Sequence, residues 1–323
     1  MSNLEVRPTE VVCDSSGWAA STVVEVLAPR IVPLGGTRAM RVSRTLPQRG
    51  RSLIGPWCFI DHYGPERGAM GVPSHPHTGL QTISWLFTGQ IEHRDSAGNH
   101  ALIRPGELNL MTAGRGISHA EESTSDTTAL HGAQLWVALP AAARFADPAF
   151  EQYVPDVLRE AGFTARVFLG TLLGSTSPAT THSPLVGAEV TIEQGRIVHL
   201  PVDPTFEHGV LVDAGAVTVD GTGVTKGSLG HVATGRDVIE LRAGDAGSAR
   251  VLVVGGMPLG ERILMWWNFV ARTHDEIVKY RADWQAEIGT AQRGQGRFGL
   301  PAGVASAPLP APALPNVRLQ ARD

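Results

Sequence analysis

The chain has 323 residues, a net charge of −4 and two cysteines. A chain of this length favours two domains, and the absence of a Lys/Arg cluster excludes a basic footprint for nucleic acid. Because no apolar run has the length of a membrane span and two cysteines do not make a disulfide scaffold, we expect a cytoplasmic protein without a membrane partner or a direct nucleic-acid partner.

Short apolar runs alternate with glycine and proline along most of the chain. Such runs, rich in Val, Leu, Ile and Thr, are typical of strands, and their spacing is typical of an all-β sandwich or barrel. Helices are indicated only at residues 154–161 and 273–288, where Thr273 and Glu276 form a capping box. The main predicted strands are, in chain order, Leu80–Phe87, Leu108–Met111, Leu135–Leu139, Ala188–Ile192, Val210–Val219 and Arg250–Val254.

Two segments of the first half resemble two segments of the second half. Residues 82–93 align with residues 208–219 through a shared glycine, and residues 112–123 align with residues 233–244 in the same way. Self-similarity of this kind predicts that both halves are versions of one barrel. Chance similarity between short strand pairs centred on glycine is the alternative.

Changes in composition divide the chain into four parts. We expect a metal-binding barrel over residues 1–145 and a linker over residues 146–180, where Ala, Pro and polar turn residues interrupt the strand pattern. A second barrel without metal ligands follows over residues 181–290. Residues 291–323 are rich in Pro, Ala and Gly, which predicts a mobile tail. The predicted fold class is all-β, with two antiparallel barrels and a short accessory C-terminal helix.

Two pairs of side chains suited to metal binding lie in the first half. His75 and His77 in HPH share one face of a strand because side chains alternate along it, and His119 and Glu121 in HAE do the same. The turns between the pairs create short strands that can bring the second pair beside the first. Three imidazoles and one carboxylate would then surround one ion inside the barrel. For a lone HxH, surface or turn histidines would be the better interpretation.

This set of ligands also limits the choice of metal. Imidazole binds iron, nickel, copper and zinc, whereas a carboxylate shifts the preference toward Fe(II) and Mn(II). Four protein ligands leave two positions of an octahedral ion free for O₂ or a substrate oxygen, whereas zinc would more often be saturated and structural. We therefore expect iron, as Fe(II) or Fe(III), with Mn, Ni, Cu and Zn as alternatives.

Several segments, in order along the chain, are similar to the pirin family, a branch of the cupin superfamily. The resemblance extends from about Arg38 to Trp284 and implies a bicupin, in which two jelly-roll-like cupin barrels lie face to face with one metal, usually iron, in the N-terminal barrel. It implies ligands at HPH and HxE, on His75, His77, His119 and Glu121. The segments are FIDHYGP, HPHTGLQT, EHRDSAGN, MTAGRGISHAEES, LHGAQLWVALP and PLGERILMWWNFV.

One position departs from the cupin dioxygenase pattern. These enzymes commonly carry a glutamate shortly after HxH, and Gln81 stands there in this chain. An amide cannot act as a carboxylate base, but strand parity predicts Gln81 on the same face as His77, where it could hydrogen-bond to a ligand. We expect His62, His93 and His131 to be structural hydrogen-bonding residues.

The internal repeat also bears on the second barrel. It sets Glu240 and Arg242 against the HxE pair, and Pro201 and Asp203 against the HPH pair. The second barrel is therefore predicted to lack a metal site. Its expected roles are packing, partner binding or covering the mouth of the first barrel.

Two functions stay open. The first, implied because pirins resemble quercetinases, is an Fe-dependent dioxygenase that opens a small aromatic substrate, a flavonol or similar enol, with O₂ and uses Glu121 as catalytic base. The second is a non-catalytic, redox-sensitive iron-binding regulator that acts through a protein partner, as a transcription cofactor or as a modulator of a metabolic enzyme. Replacement of the cupin glutamate by Gln81 slightly favours the second.

Overall fold

The computed structural model describes residues 11–13, 24–34, 40–289 and 294–315, which form 27 strands and the helix α1 (His274–Gly289). Within these residues no helix has the length and apolar character to cross a membrane. The first strands are β1 (Val11–Cys13), β2 (Glu25–Leu27), β3 (Arg30–Leu34), β4 (Met40–Leu46), β5 (Trp57–Arg67), β6 (Gly71–His77), β7 (Leu80–Thr88), β8 (Ile91–Asp95), β9 (His100–Ile103), β10 (Leu108–Thr112), β11 (Ile117–Ser123), β12 (Ala129–Ala138) and β13 (Ala149–Tyr153). The remaining strands are β14 (Leu158–Glu160), β15 (Phe163–Leu169), β16 (Thr171–Leu172), β17 (Ser175–Thr176), β18 (Leu185–Ile192), β19 (Ile197–Pro201), β20 (Glu207–Ala214), β21 (Val217–Val219), β22 (Thr222–Val224), β23 (Leu229–Val232), β24 (Val238–Ala243), β25 (Ala249–Gly256), β26 (Ile263–Trp266) and β27 (Phe269–Ala271).

Each half of the chain folds into a pair of antiparallel sheets. In the first domain, a seven-stranded sheet in the order β13-β10-β7-β12-β5-β4-β3 faces a four-stranded sheet in the order β6-β11-β8-β9. The second domain repeats this plan with β14-β15-β18-β25-β20-β23-β2 and β19-β24-β21-β22. The all-β prediction is confirmed, and each domain is a two-sheet jelly roll rather than a closed barrel. Read from its other edge, the second large sheet runs β2-β23-β20-β25-β18-β15-β14. This order places β20 and β23 where β7 and β10 lie in the first sheet, in agreement with the internal repeat.

One of the two predicted helices is present. Helix α1 begins with the expected capping box, in which Thr273 N donates to Glu276 Oε2 at 3.3 Å and Glu276 N donates to Thr273 Oγ1 at 3.3 Å. The helix predicted at residues 154–161 is wrong. Strand β14 lies there and pairs with β15, with Leu158 opposite Ala165. Pairing at the sheet edge outweighs the weak local helix preference.

The two domains share one apolar core between their large sheets. Trp57 and Trp85 from the first domain pack into it with Phe168 from the second, and the rings of Trp85 and Phe168 are 4.5 Å apart. Both indole N–H groups are satisfied across the interface, by Gly255 O at 2.9 Å and by Glu189 Oε2 at 2.8 Å. Burying a large apolar side chain contributes about 1.5–3 kcal/mol. This core fixes the domains against each other.

The interiors of the two four-stranded sheets differ in chemistry. Strands β19 and β24 of the second domain correspond to β6 and β11 in sheet order. Their inward positions are aliphatic, namely Val198, Leu200, Ile239 and Leu241. The repeat therefore holds for the strands. Its pairing of individual residues does not hold, because Pro201 and Arg242 are exposed, whereas their counterparts His75 and Glu121 are buried. Aliphatic side chains fill the space that the histidines occupy in the first domain.

The segments outside the two predicted barrels also carry structure. Residues 146–180 include β13, which pairs with β10 of the first domain, and β15, which pairs with β18 of the second. In the segment predicted to be a mobile tail, residues 294–315 are packed. Leu309 O accepts from Trp284 Nε1 at 2.8 Å, and Leu309 N donates to Ser74 O at 2.8 Å. These contacts connect α1 to β6.

Candidate metal centre

The two predicted ligand pairs meet on neighbouring strands of the first domain. Strands β6 and β11 are antiparallel partners, with His75 opposite His119 and His77 opposite Ile117. A bulge follows His119 and changes the register at Glu121. All four side chains are buried, with at most 1% of their surface exposed. The strand pairing thus brings together residues that are more than forty positions apart in the sequence.

Three imidazoles form the centre of this group. The ligand atoms of His75, His77 and His119 all lie within 4.8 Å of one another, and His77 Nε2 is 3.1 Å from His119 Nε2. Adjacent ligand atoms of a six-coordinate ion are about 3 Å apart when each metal–nitrogen bond is about 2.1 Å. The spacing of these two nitrogens therefore fits one bound metal ion.

Hydrogen bonding and burial leave the histidines in the form that binds metal. His75 Nδ1 lies 2.8 Å from Pro73 O and donates to it, so that the lone pair of His75 is on Nε2, an atom without a partner among the described residues. Burial lowers the pKa of His75 to about 3 and holds the pKa of His77 and of His119 well below 6.5. Neutral imidazole is the metal-binding species.

The carboxylate of Glu121 lies at one side of the three imidazoles. Its oxygen groups within 4.8 Å with His119 and His93, whereas no such group contains it together with His75 and His77. The predicted ligands, together with His93, therefore form two overlapping triads that share His119. A metal bound by all four would draw this carboxylate toward the other histidines.

His93 extends the centre beyond the predicted ligands. Its Nδ1 is 3.3 Å from His119 Nδ1, its Nε2 is 3.3 Å from Asp95 Oδ2, and its ring stacks on Phe150. Both contacts are satisfied if His119 donates Nδ1–H to His93 and His93 donates Nε2–H to Asp95. This proton arrangement leaves the Nε2 lone pair of His119 for a metal. We expected only a structural role for His93, yet HRD is a third pair with i, i+2 spacing, on the strand beside HAE.

The large sheet contributes polar groups to the same interior. Ser84 Oγ lies 3.4 Å from Glu121 Oε1 and donates to Gln134 Oε1 at 2.9 Å. Burial, and then the negative charge of Glu121, raise the pKa of Tyr63, so its hydroxyl stays protonated. Tyr63 Oη and Trp136 Nε1 have no hydrogen-bond partner among the described residues. Buried donors without partners indicate a polar guest in this interior.

Gln81 lies outside the centre, so its predicted orientation toward His77 is wrong. Its Nε2 donates to Thr112 Oγ1 at 2.9 Å and to Thr180 O at 3.0 Å. It shares a face of β7 with Trp85, which packs between the domains. Gly79, with φ of 68°, turns the chain between β6 and β7. Strand parity does not continue through such a turn.

His62 and His131 belong to a separate cluster between the domains. Their Nε2 atoms lie 2.7 and 2.6 Å from Asp213 Oδ1, and Arg250 Nε donates to Asp213 Oδ2 at 2.6 Å. His62 is therefore a hydrogen-bonding residue, as expected, whereas His131 contacts the same carboxylate at ion-pair distance. They come from β5 and β12, whereas Asp213 and Arg250 come from β20 and β25.

Comparisons with known proteins identify relatives over most of the chain. The family model Pirin matches residues 39–137, and the model for the Pirin C-terminal cupin domain matches residues 187–288. A Pseudomonas aeruginosa protein named "Putative quercetin 2,3-dioxygenase" is 41% identical over 91% of this chain and 91% of its own length. A pirin-like protein of Caulobacter vibrioides is 36% identical over 76% of this chain and 88% of its own. The crystal structure of quercetin 2,3-dioxygenase from Acinetobacter baumannii superposes with a TM-score of 0.86, at 38% identity, over 94% of this chain and 99% of that chain.

Proposed function

Because this chain belongs to the pirin family, we propose that it is a metal-dependent dioxygenase of quercetinase type, which opens a flavonol or a similar enol substrate with O₂. The proposal depends on one observation, three buried neutral imidazoles on β6 and β11 close enough to hold one ion, with the carboxylate of Glu121 beside His119. We assign His75, His77, His119 and Glu121 as ligands of one ion. Iron is the expected metal, with Mn, Ni, Cu and Zn as alternatives. The quercetin dioxygenase names of two similar proteins support the substrate class.

The side chains of the centre have distinct roles in this proposal. When bound, the metal supplies Lewis acidity and a site for oxygen chemistry. Glu121 accepts the proton of the substrate enol, and its carboxylate lies 3.4 Å from the hydroxyl of Ser84. The O–H of Tyr63 and the N–H of Trp136 have no hydrogen-bond partner among the described residues, and they donate to the substrate oxygens. A flavonol and O₂ together give the ring-opened ester and carbon monoxide.

The second candidate is a redox-sensitive iron-binding regulator that acts through a protein partner. The observation in its favour is the burial of the ligands, none of which is more than 1% exposed. A change of one unit of charge at a buried ion alters the potential at the domain surface without any substrate entering. A dioxygenase, by contrast, requires a path by which a planar substrate reaches the buried metal.

Metal reconstitution followed by oxygen uptake separates the two candidates. The metal-free protein is loaded anaerobically with Fe(II), Mn(II), Ni(II) or Cu(II) and then mixed with quercetin in air. A dioxygenase consumes O₂ and releases carbon monoxide with at least one metal, and it holds about one ion per chain. Absence of uptake with every metal would overturn flavonol oxygenation and leave the regulatory candidate.

Two histidine variants control this experiment. His119→Ala removes the residue common to both triads, so it should lose most of the bound metal and the oxygen uptake. His131→Ala removes a buried histidine of the separate Asp213 cluster and should retain the metal. Equal metal loss in both variants, measured by elemental analysis of folded protein, would contradict the assigned ligand set.

A further inference from the structure

The second domain contains a cavity of about 430 Å³ at one end of its sheets. One wall is the turn of the β16–β17 hairpin with Leu172 and Leu173, and another is the segment after β19 with Val202 and Phe206. Leu173 has a φ of 52°, a left-handed conformation that costs a bulky residue roughly 1–2 kcal/mol. The volume is within the range of small-molecule sites. The metal centre lies in the other domain, so this cavity is a separate feature.

His208 lines this cavity and is the unusual residue in it. It is the first of the inward-facing residues of β20, ahead of Val210 and Val212 in the aliphatic core. The side chain is fully buried, and neither Nδ1 nor Nε2 has a hydrogen-bond partner among the described residues. A buried polar atom without a partner costs about 1–3 kcal/mol. Both ring nitrogens of His208 lack a hydrogen-bond partner among the described residues, and a polar group of a ligand in the cavity would supply one.

The lining restricts the chemistry of such a ligand. Burial lowers the pKa of His208 to about 4, so at neutral pH the ring is uncharged and offers one donor and one acceptor. The charged residue of the lining is Asp203, a carboxylate at the exposed rim, which disfavours an anion. Leucine, valine and phenylalanine side chains form most of the remaining walls. The complementary molecule is neutral and mostly apolar, with one group that both donates and accepts.

We propose that this cavity is a binding site for a small neutral molecule with an apolar body and one hydroxyl group, which hydrogen-bonds to His208. Phenol is the simplest molecule of this class. Toluene has the same apolar body without the hydroxyl, and benzoate adds a negative charge. The site is independent of the metal centre and of the function proposed for it.

Titration of the metal-free full-length protein with these three probes tests the proposal. Phenol should bind saturably in calorimetry and shift the ring nitrogen resonances of His208 in NMR spectra. Toluene should bind at least about fivefold more weakly, since it lacks one hydrogen bond, and benzoate weaker still. No saturable phenol binding, phenol binding that leaves His208 unshifted, or toluene binding as tight as phenol would each overturn the proposal. If phenol does not bind saturably, the ring of His208 is hydrogen-bonded to buried water only.

Three variants locate the bound probe. His208→Leu should weaken phenol binding at least about fivefold, whereas His199→Leu, at an exposed histidine of β19, should leave it unchanged. Thr171→Trp places a large ring at the exposed rim and should block the cavity without disturbing the core. If His208→Leu fails to fold, Thr171→Trp still shows whether phenol binds in this cavity. Unchanged phenol binding in folded Thr171→Trp would overturn the assignment to this cavity.

Discussion

At the scale of single residues, the candidate metal centre extends through His119 to two residues that are not predicted ligands. The contacts run from His119 Nδ1 to His93 Nδ1 and from His93 Nε2 to Asp95 Oδ2, each 3.3 Å long. Asp95 also accepts from Ala97 N at 2.9 Å and Asn99 N at 3.0 Å, so its carboxylate is held in place. A ligand histidine oriented in this way binds metal more tightly, because its ring need not be ordered on binding.

Replacement of His93 should therefore weaken metal binding without removing a ligand. We expect His93→Phe to lower the metal affinity about 10–100-fold, because His119 loses its acceptor while the stack on Phe150 is preserved. Competition with a chromophoric chelator measures the affinity. The matched control is His100→Phe at a half-exposed histidine of the neighbouring strand β9. Equal affinities for the His93 variant and the wild type would refute the orienting role.

At the scale of elements, helix α1 and the following segment are held by aromatic packing. Trp284 is fully buried in a cluster with Trp266 and Phe298, and its indole N–H bonds to Leu309 O. The segment in turn reaches β6, since Leu309 N donates to Ser74 O next to His75. The helix therefore supports the strand that carries two of the proposed ligands.

The capping box of α1 gives a prediction at this scale. Thr273→Ala removes the hydroxyl that accepts from Glu276 N, and it should lower the free energy of unfolding by about 1 kcal/mol. Thr273→Ser keeps the hydroxyl and should stay close to the wild type. Urea denaturation measures all three proteins. A loss as large in Thr273→Ser as in Thr273→Ala would show that the hydroxyl is not responsible.

At the scale of the whole molecule, the two domains are joined by polar contacts as well as by the shared core. Strand β2, from the N-terminal part of the chain, pairs with β23 of the second domain. Asp213 of the second domain contacts His62 and His131 of the first. Burial acts to raise the pKa of Asp213, but hydrogen bonds from the two histidines and Arg250 outweigh it and hold the pKa well below 3.8. The carboxylate is therefore charged between the domains.

The stability of the molecule should depend on this carboxylate in a defined pH range. Because its pKa is lower in the folded state, its contribution is fully present above pH 3.8 and is lost as the pH falls further. Asp213→Asn should lower the free energy of unfolding by about 3 kcal/mol at pH 7, and the difference should narrow below pH 3.8.

Chemical denaturation across this pH range measures the effect. Asp156→Asn, at an exposed carboxylate, serves as the control and should change stability little at any pH. A difference between Asp213→Asn and the wild type that stays constant from pH 5 to pH 3 would contradict a charged Asp213.

The sequence alone determined the features that depend on neighbouring residues. Apolar runs between turns predicted strands, Thr273 and Glu276 predicted the start of α1, and the i, i+2 spacing in HPH and HAE placed each pair on one face of a strand. Gln81 was misplaced because parity stops at a turn such as that at Gly79.

Only the tertiary structure decided which distant strands lie side by side. Pairing of β8 with β11 placed His93 against His119, and packing of the two large sheets placed Asp213 against His62. The same folding left His208 at a cavity without a hydrogen-bond partner among the residues that the structure describes. Such contacts depend on strand order and on the packing of whole sheets, and no local spacing in the sequence encodes either one.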